Sequence, residues 1–211
     1  MILESRDPSM RTKQRPKSRN RLSPEARRRQ LMELAAAMVL KQGGLPLSVA
    51  ELARAAGVSK SLFYTYFPTQ HDLLNALMVE RVAALETAGL LAAPRHANFS
   101  EAVVKAAAIY FEDVAERGPL LHILLRDRYM TGHTAPRVRQ FRDSVLGGLA
   151  RAGRRALRLK AKEAVAAANL ILTIPEEAGR LAFEGEMTGS RARELCRDLV
   201  ASALAAIAPG G

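Results

Sequence analysis

Between positions 59 and 65 the chain reads SKSLFYT, so Ser59, Lys60, Ser61, Tyr64 and Thr65 gather four hydroxyls and one ammonium with no carboxylate among them. Groups of this kind donate to phosphate oxygens and base edges, and the chemistry they suit is recognition of duplex DNA. A second set, Tyr110, His122, Arg126, Tyr129, His133 and Asn169, is spread among Leu, Ile, Val and Ala. Isolated polar groups in an apolar helical cavity make a small-molecule site, and they are equally what the satisfied polar residues of a helical core look like. For catalysis there is no comparable pattern: the chain has no H-E-x-x-H, no G-x-S-x-G and no phosphate-cradling glycine loop. His122 and His133 stand eleven apart, which is not a zinc spacing, and the single Cys196 can form neither an internal disulfide nor a cysteine zinc site. No catalytic residue, metal site or cofactor is expected, and the cysteine count fits a reducing compartment.

Side chains act only where elements hold them, and the local signals are mostly helical. Ser23-Pro24-Glu25 supplies an N-cap, a proline at the first helical position and an acid at the positive dipole end, predicting a helix over about 24–42 that stops at Gly43-Gly44. Its apolar stripe is Leu31, Leu34, Ala35, Met38 and Val39. Ser48 and Glu51 have capping-box spacing and open a short second helix ending at Ala56. Gly57 offers the positive φ of a tight turn, and Ser59 caps a third helix through about Phe67. Two short helices joined by such a turn form the helix-turn-helix. Here Leu52, Ala56, Val58, Phe63 and Tyr66 supply its internal contacts, small Ala53 permits a close crossing, and Ser59, Lys60, Ser61, Tyr64 and Thr65 face outward.

Pro68-Thr69 then breaks the chain, and Thr69 with Asp72 caps a fourth helix whose stripe is Leu73, Leu74, Leu77, Met78, Val82 and Leu85, ending near Gly89. Further helices are expected at about 100–117, 119–131, 136–159, 161–184 and 190–207, with Ser100 and Ser190 as caps and Pro175 as a bend. No strand-type alternation is present, so the fold class is all-α. Leu195, Leu199, Ala203 and Ile207 form one stripe and Ala164, Ala167, Ala168 and Ile171 another, suiting either a dimer interface or the core of a single chain.

Of 211 residues, 32 are Lys or Arg and 21 are Asp or Glu, giving a formal charge of +11 with 48% hydrophobic residues. A globular protein with a polyanionic partner follows. The charge is uneven: residues 1–23 hold seven basic groups against two acidic, residues 24–70 six against three, and the last 141 residues 19 against 16. That division suggests three parts: a disordered basic arm over 1–22, a helix-turn-helix domain over 23–70, and a helical ligand-binding and dimerisation domain over 71–211. No apolar run reaches the ~20 residues that span a bilayer, and no apolar stretch follows the basic start as in a secretory signal, so a cytoplasmic, nucleoid-associated location without a membrane partner is expected.

The run SVAELARAAGVSKSLFYTYFPTQHDLL over 48–74 resembles the N-terminal domain of the tetracycline-repressor (TetR) family of bacterial transcription regulators, and the likeness extends over about 24–85. The resemblance implies a homodimer with three DNA-binding helices, a connecting fourth helix and a helical ligand and dimerisation domain. It places Lys60 and Ser61 at base edges, Tyr64 at a base or phosphate, and Ser48, Ser59, Thr65 and Tyr66 at phosphates. Two positions depart from the family pattern. Ser61 and bulky Leu62 stand where a glycine and a small polar residue are common, and Gln70 stands where a phosphate-directed lysine is common, so Gln70 joins the DNA-contacting set without the charge. The basic arm is placed to follow the minor groove and compensate.

The expected function is a ligand-responsive DNA-binding regulator, a repressor released from a near-palindromic double-stranded operator by a small-molecule effector. Two alternatives use the same composition: a helical enzyme or carrier anchored by its basic arm, and a nonspecific architectural DNA binder. Substituting Lys60 and Tyr64 separates them, since the enzyme would keep its activity and the architectural binder would weaken on all sequences alike.

Overall fold

The computed structural model describes residues 22–92 and 98–208, which are helices, turns and loops without a strand. The basic arm expected over 1–22 lies outside the described residues except for Leu22. Helices α1 (Pro24–Gln42), α2 (Val49–Ala55), α3 (Lys60–Tyr66) and α4 (Gln70–Thr87) are followed by α5 (Phe99–Arg117), α6 (Leu120–Arg126), a 3-10 turn (Arg128–Met130), α7 (Pro136–Ala156), α8 (Ala161–Phe183) and α9 (Gly189–Ile207).

Local chemistry accounts for the first four. Ser23 Oγ accepts from Ala26 N–H at 3.1 Å to start α1, and Gly43 at φ 71° ends it in the left-handed conformation that glycine adopts without strain. Thr69 and Asp72 form the full reciprocal capping box of α4, whereas at α2 only half is made: Ser48 Oγ accepts from Glu51 N–H at 3.3 Å. Leu31, Ala35 and Val39 of α1 are fully buried with Leu52, Phe63, Leu73 and Leu74, so the three short helices close on α1 and on the start of α4.

Beyond α4, helix α5 packs along α8 and α9, and α7 covers α8 from the other side. The α5–α8 approach depends on Gly179, where a Cβ would stand 2.6 Å from Val114 Cβ and 3.1 Å from the Phe111 carbonyl oxygen. Several expected boundaries shift. Asn98, not Ser100, caps α5, its Oδ1 accepting from Ser100 N–H at 3.0 Å and Glu101 N–H at 3.3 Å. Thr188, not Ser190, caps α9. The helix expected over 119–131 breaks after Arg126, because Asp127 is extended (φ −71°, ψ 132°) and its carboxylate takes up the next free amides. Helix α7 stops at Ala156 rather than 159, and α8 runs unbroken through Pro175. Among the described residues no helix is long and apolar enough to cross a membrane.

Candidate nucleic-acid interface and effector pocket

Helix α3 turns a single residue fully inward. Phe63 is buried against Phe67, with ring centroids 6.1 Å apart, while Ser59, Lys60, Ser61, Tyr64 and Thr65 are exposed and Tyr66 is half-buried. Tyr64 stands edge-on to Phe63 at 5.3 Å, which fixes its ring and leaves the phenol in solvent. Ser48 and Ser59 each spend a lone pair on capping, Ser59 Oγ accepting from Leu62 N–H at 3.1 Å, so their hydroxyl hydrogens remain for a phosphate oxygen. The Thr65 hydroxyl is instead turned onto its own helix and donates to the Ser61 carbonyl at 3.2 Å. From α1, Arg27 ties down the turn by donating to the Ala56 carbonyl at 3.0 Å, and the Arg28 guanidinium lies 5.0 Å from the Phe67 ring centre.

Gln70 departs from its expected role. Its side chain is buried, the Oε1 accepting from Leu47 N–H at 3.1 Å and the Nε2 donating to the Leu47 carbonyl at 2.7 Å. Both ends of the amide serve the backbone of the α1–α2 loop, so it locks α4 to that loop and does not extend toward a phosphate.

The same loop is held from the other half of the chain. Asp127 Oδ2 accepts from Leu45 N–H at 2.9 Å, and its Oδ1 accepts from Tyr129 N–H at 2.9 Å. His71, in the first turn of α4, is sandwiched between Tyr129 and His133, with centroids at 4.4 and 4.0 Å and rings within 14° and 19° of parallel. Its Nε2–H donates to the Tyr129 carbonyl at 3.0 Å. One turn on, Asn75 donates to the His133 carbonyl at 2.8 Å and accepts from Ala135 N–H at 2.7 Å. Tyr129 and His133, expected as pocket residues, therefore belong to this junction: the extended Asp127 carries the chain out of the pocket wall before they are reached.

The pocket itself encloses about 240 Å³ between α4, α5, α6, α7 and α8, and of the expected set it is lined by Tyr110, His122, Arg126 and Asn169. Arg142, Thr173 and Glu176 join them, with an apolar wall that includes Leu85, Leu121, Val138, Phe141 and Val145. Glu176 is the organising group: the Tyr110 hydroxyl donates to its Oε2 at 3.2 Å, and His122 Nδ1 lies 2.5 Å from its Oε1. Burial, and then the Glu176 charge, push the Tyr110 phenol well above its ordinary range, so it stays a donor. Glu176 and Arg142 were missed in the sequence; the steps from Asn169 to Thr173 to Glu176 place all three on one helical face, which was the available signal. Among the described residues no three His, Cys, Asp or Glu side chains cluster to hold a metal ion.

The stripe expected on α9 lies at the surface: Leu199 is exposed and Leu195, Ala203 and Ile207 are half-buried, while Ala192, Cys196, Val200 and Leu204 face the core. On α8 the expected stripe is displaced. Ala164, Ala168 and Ile171 are buried under α5 and α7, and the open face carries Ala166, Leu170 and Ile174, with Leu170 70% exposed. Ala166, Ala167, Leu170, Ile174, Ala203 and Ile207 line one apolar groove between the two helices. Burial raises the Cys196 thiol to about 11, so it is a poor nucleophile at neutral pH.

A helix-turn-helix unit joined through α4 to a helical bundle with a half-open pocket is the layout of two-part, all-helical DNA-binding regulators. Residues 34–77 match the model for bacterial regulatory proteins of the tetR family. That match spans the end of α1, all of α2 and α3, and the first part of α4. The chain is 30% identical over 112 residues to the nucleoid occlusion factor SlmA of Actinobacillus pleuropneumoniae, covering 53% of this chain and 52% of that protein, so it spans about half the length of this curated relative. Among solved structures, a TetR-like transcriptional regulator from Rhodococcus sp. RHA1 superposes with a TM-score of 0.65 at 18% identity, covering 88% of this chain and 99% of that one. AibR, solved in complex with isovaleryl coenzyme A and operator DNA, gives a TM-score of 0.62 at 17% identity over 83% of this chain and 97% of its own. At these identities the likeness is one of fold.

Proposed function

We propose that this chain is a ligand-responsive transcriptional regulator, a homodimeric repressor that leaves a near-palindromic operator when a small molecule fills its pocket. One observation carries the reading: the polar face of α3, Lys60, Ser61, Tyr64 and Thr65, is left uncovered by every other described element while Phe63 behind it is fully buried. Residues 23–70 are the DNA-reading part and 71–211 the sensing and pairing part. Lys60, Ser61 and Tyr64 contact base edges or phosphate, Ser48, Ser59 and Tyr66 contact phosphates, and Thr65 joins them by releasing its hydroxyl from the Ser61 carbonyl. Dimerisation through the open apolar face of α8 and α9 sets two copies of α3 at the ~34–36 Å, or a multiple of it, that successive major grooves require. The protein works in the bacterial cytoplasm on the nucleoid.

The junction supplies the coupling. The chain leaves the pocket wall at Arg126, clasps Leu45 and His71 through Asp127, Tyr129 and His133, and re-enters the wall at Val138 and Phe141. A ligand that separates α6 from α7 must therefore move the clasp, and with it the first turn of α4. A differential affinity worth ~1–3 kcal/mol between the two arrangements is enough to release DNA.

Sequence selection from random duplexes with the purified full chain tests the reading. An enriched inverted repeat whose binding is lost in Lys60→Ala and Tyr64→Ala supports it. Enrichment of no sequence, with both variants weakening all duplexes alike, favours an architectural binder instead. The likeness to a nucleoid occlusion factor favours a second reading, a DNA-bound factor whose output is not transcription; a specific site with no effect on an adjacent promoter would select it.

A further inference from the structure

We infer that the effector is a small amphipathic carboxylate, its apolar body against Leu85, Val138 and Phe141 and its anionic end on Arg126 and Arg142. The inference rests on the effector pocket proposed above and adds the chemical class of what enters it. Size comes first: about 240 Å³ is below the ~300–1,000 Å³ of pockets that take drug-sized molecules, so the occupant is small.

Charge comes second. Among the described residues the only carboxylate lining the pocket is Glu176, and each of its oxygens is already engaged, one by the Tyr110 hydroxyl at 3.2 Å and the other by His122 at 2.5 Å. Each oxygen keeps a second lone pair, so an amine would have to share Glu176 with two partners already in place. The cations are in the opposite condition. Arg126 closes α6 and Arg142 lies on α7, and neither has a hydrogen bond or ion pair among the described residues. Three arginines outside the pocket are ion-paired, Arg81 to Asp113 at 3.3 Å, Arg137 to Glu86 at 2.5 Å and Arg180 to Glu177 at 2.7 Å, whereas others such as Arg54 and Arg154 are left to solvent, so it is their place on the pocket wall that singles out Arg126 and Arg142. Two unmatched guanidinium groups, one on each of two helices that wall the cavity, offer forked donors to the two oxygens of a carboxylate.

Octanoate, octanamide and octylamine share one chain and carry −1, 0 and +1 charge. Isothermal titration of the full-length protein with each, at about pH 7.5, is expected to find octanoate bound about tenfold more tightly than octanamide, or ~1.4 kcal/mol, with octylamine weakest. In the Arg126→Gln, Arg142→Gln double variant octanoate falls to the octanamide value, while octanamide itself stays within about twofold, a pattern that misfolding would not produce. Octylamine binding as tightly as octanoate, no binding of any of the three, or a variant that keeps the preference each overturns the inference. Fluorescence anisotropy with the selected operator separates the two readings. Octanoate that binds without changing operator affinity removes the release mechanism and leaves the ligand class standing; operator binding intact with no charge preference at the pocket does the reverse.

Discussion

Replacing Gln70 by lysine opposes two accounts of that position. The family resemblance puts a phosphate-directed lysine there, so the variant should tighten DNA binding. The structure puts Gln70 at 9% exposure with both ends of its amide on Leu47, which is itself 5% exposed. Lysine keeps a donor for the Leu47 carbonyl and loses the acceptor for its N–H, and it brings a charge into a covered site. An unsatisfied buried backbone group costs about 1–3 kcal/mol, so Gln70→Lys should destabilise by about 2 kcal/mol. Gln70→Ala abandons both groups, partly relieved by water entering the space, and should lose about 3 kcal/mol. For a chain of this length each kcal/mol lowers the melting temperature by roughly 2–4 °C, giving falls of about 4–8 °C and about 6–12 °C. Thermal melts followed by far-ultraviolet circular dichroism measure this, with operator anisotropy at low salt alongside. A lysine variant that melts within about a degree of the parent and holds operator more tightly would refute the inward placement of Gln70.

Three further outcomes follow from geometry already described. Leu170→Glu alters a side chain that is 70% exposed, so helix content should persist while sedimentation shows a monomer and operator affinity drops by at least about tenfold. Gly179→Ala forces a Cβ to 2.6 Å from Val114 Cβ and should lower stability by about 1–3 kcal/mol in denaturant titration, part of it recovered by adding Val114→Ala. Tyr110 is held neutral by burial and by Glu176, so its folded pKa lies above the ordinary 10.0. Its contribution is intact below pH ~10 and declines as pH rises above that value, because the unfolded chain releases the proton first. Alkaline unfolding followed by phenolate absorbance should show this late step in the parent and not in Tyr110→Phe.

The first four helices were legible because their signals are local: Ser23, Gly43, Ser59, Thr69 and Asp72 all act within four residues of where they sit. What was misread depends on distant partners. Gln70 is buried because Leu47, 23 positions earlier, presents both backbone groups to it. The helix expected over 119–131 breaks because Asp127 is drawn to Leu45 N–H, 82 positions away, and this removes Tyr129 and His133 from the pocket. On α8, alanine stands on both the covered and the open face, so composition did not say which stripe α5 and α7 would bury. Glu176 followed by Glu177 reads as an exposed acidic pair, and only the tertiary fold sets one against Tyr110 and His122.

The junction has a property that bears on how such proteins can be assembled. Leu45, Leu47, Tyr129, His133 and Ala135 enter its hydrogen bonds through main-chain atoms, while the side-chain partners are Asp127, Gln70, His71 and Asn75. Apart from the aromatic stack on His71, the joint reads the path of the chain and is indifferent to which residues occupy that path. A joint of this kind is portable. A sensing half grafted behind this DNA-reading half should dock in register if it keeps His71 and Asn75 at the start of α4, a carboxylate where Asp127 stands and the same loop trace through 129–135, whatever its pocket is built to hold.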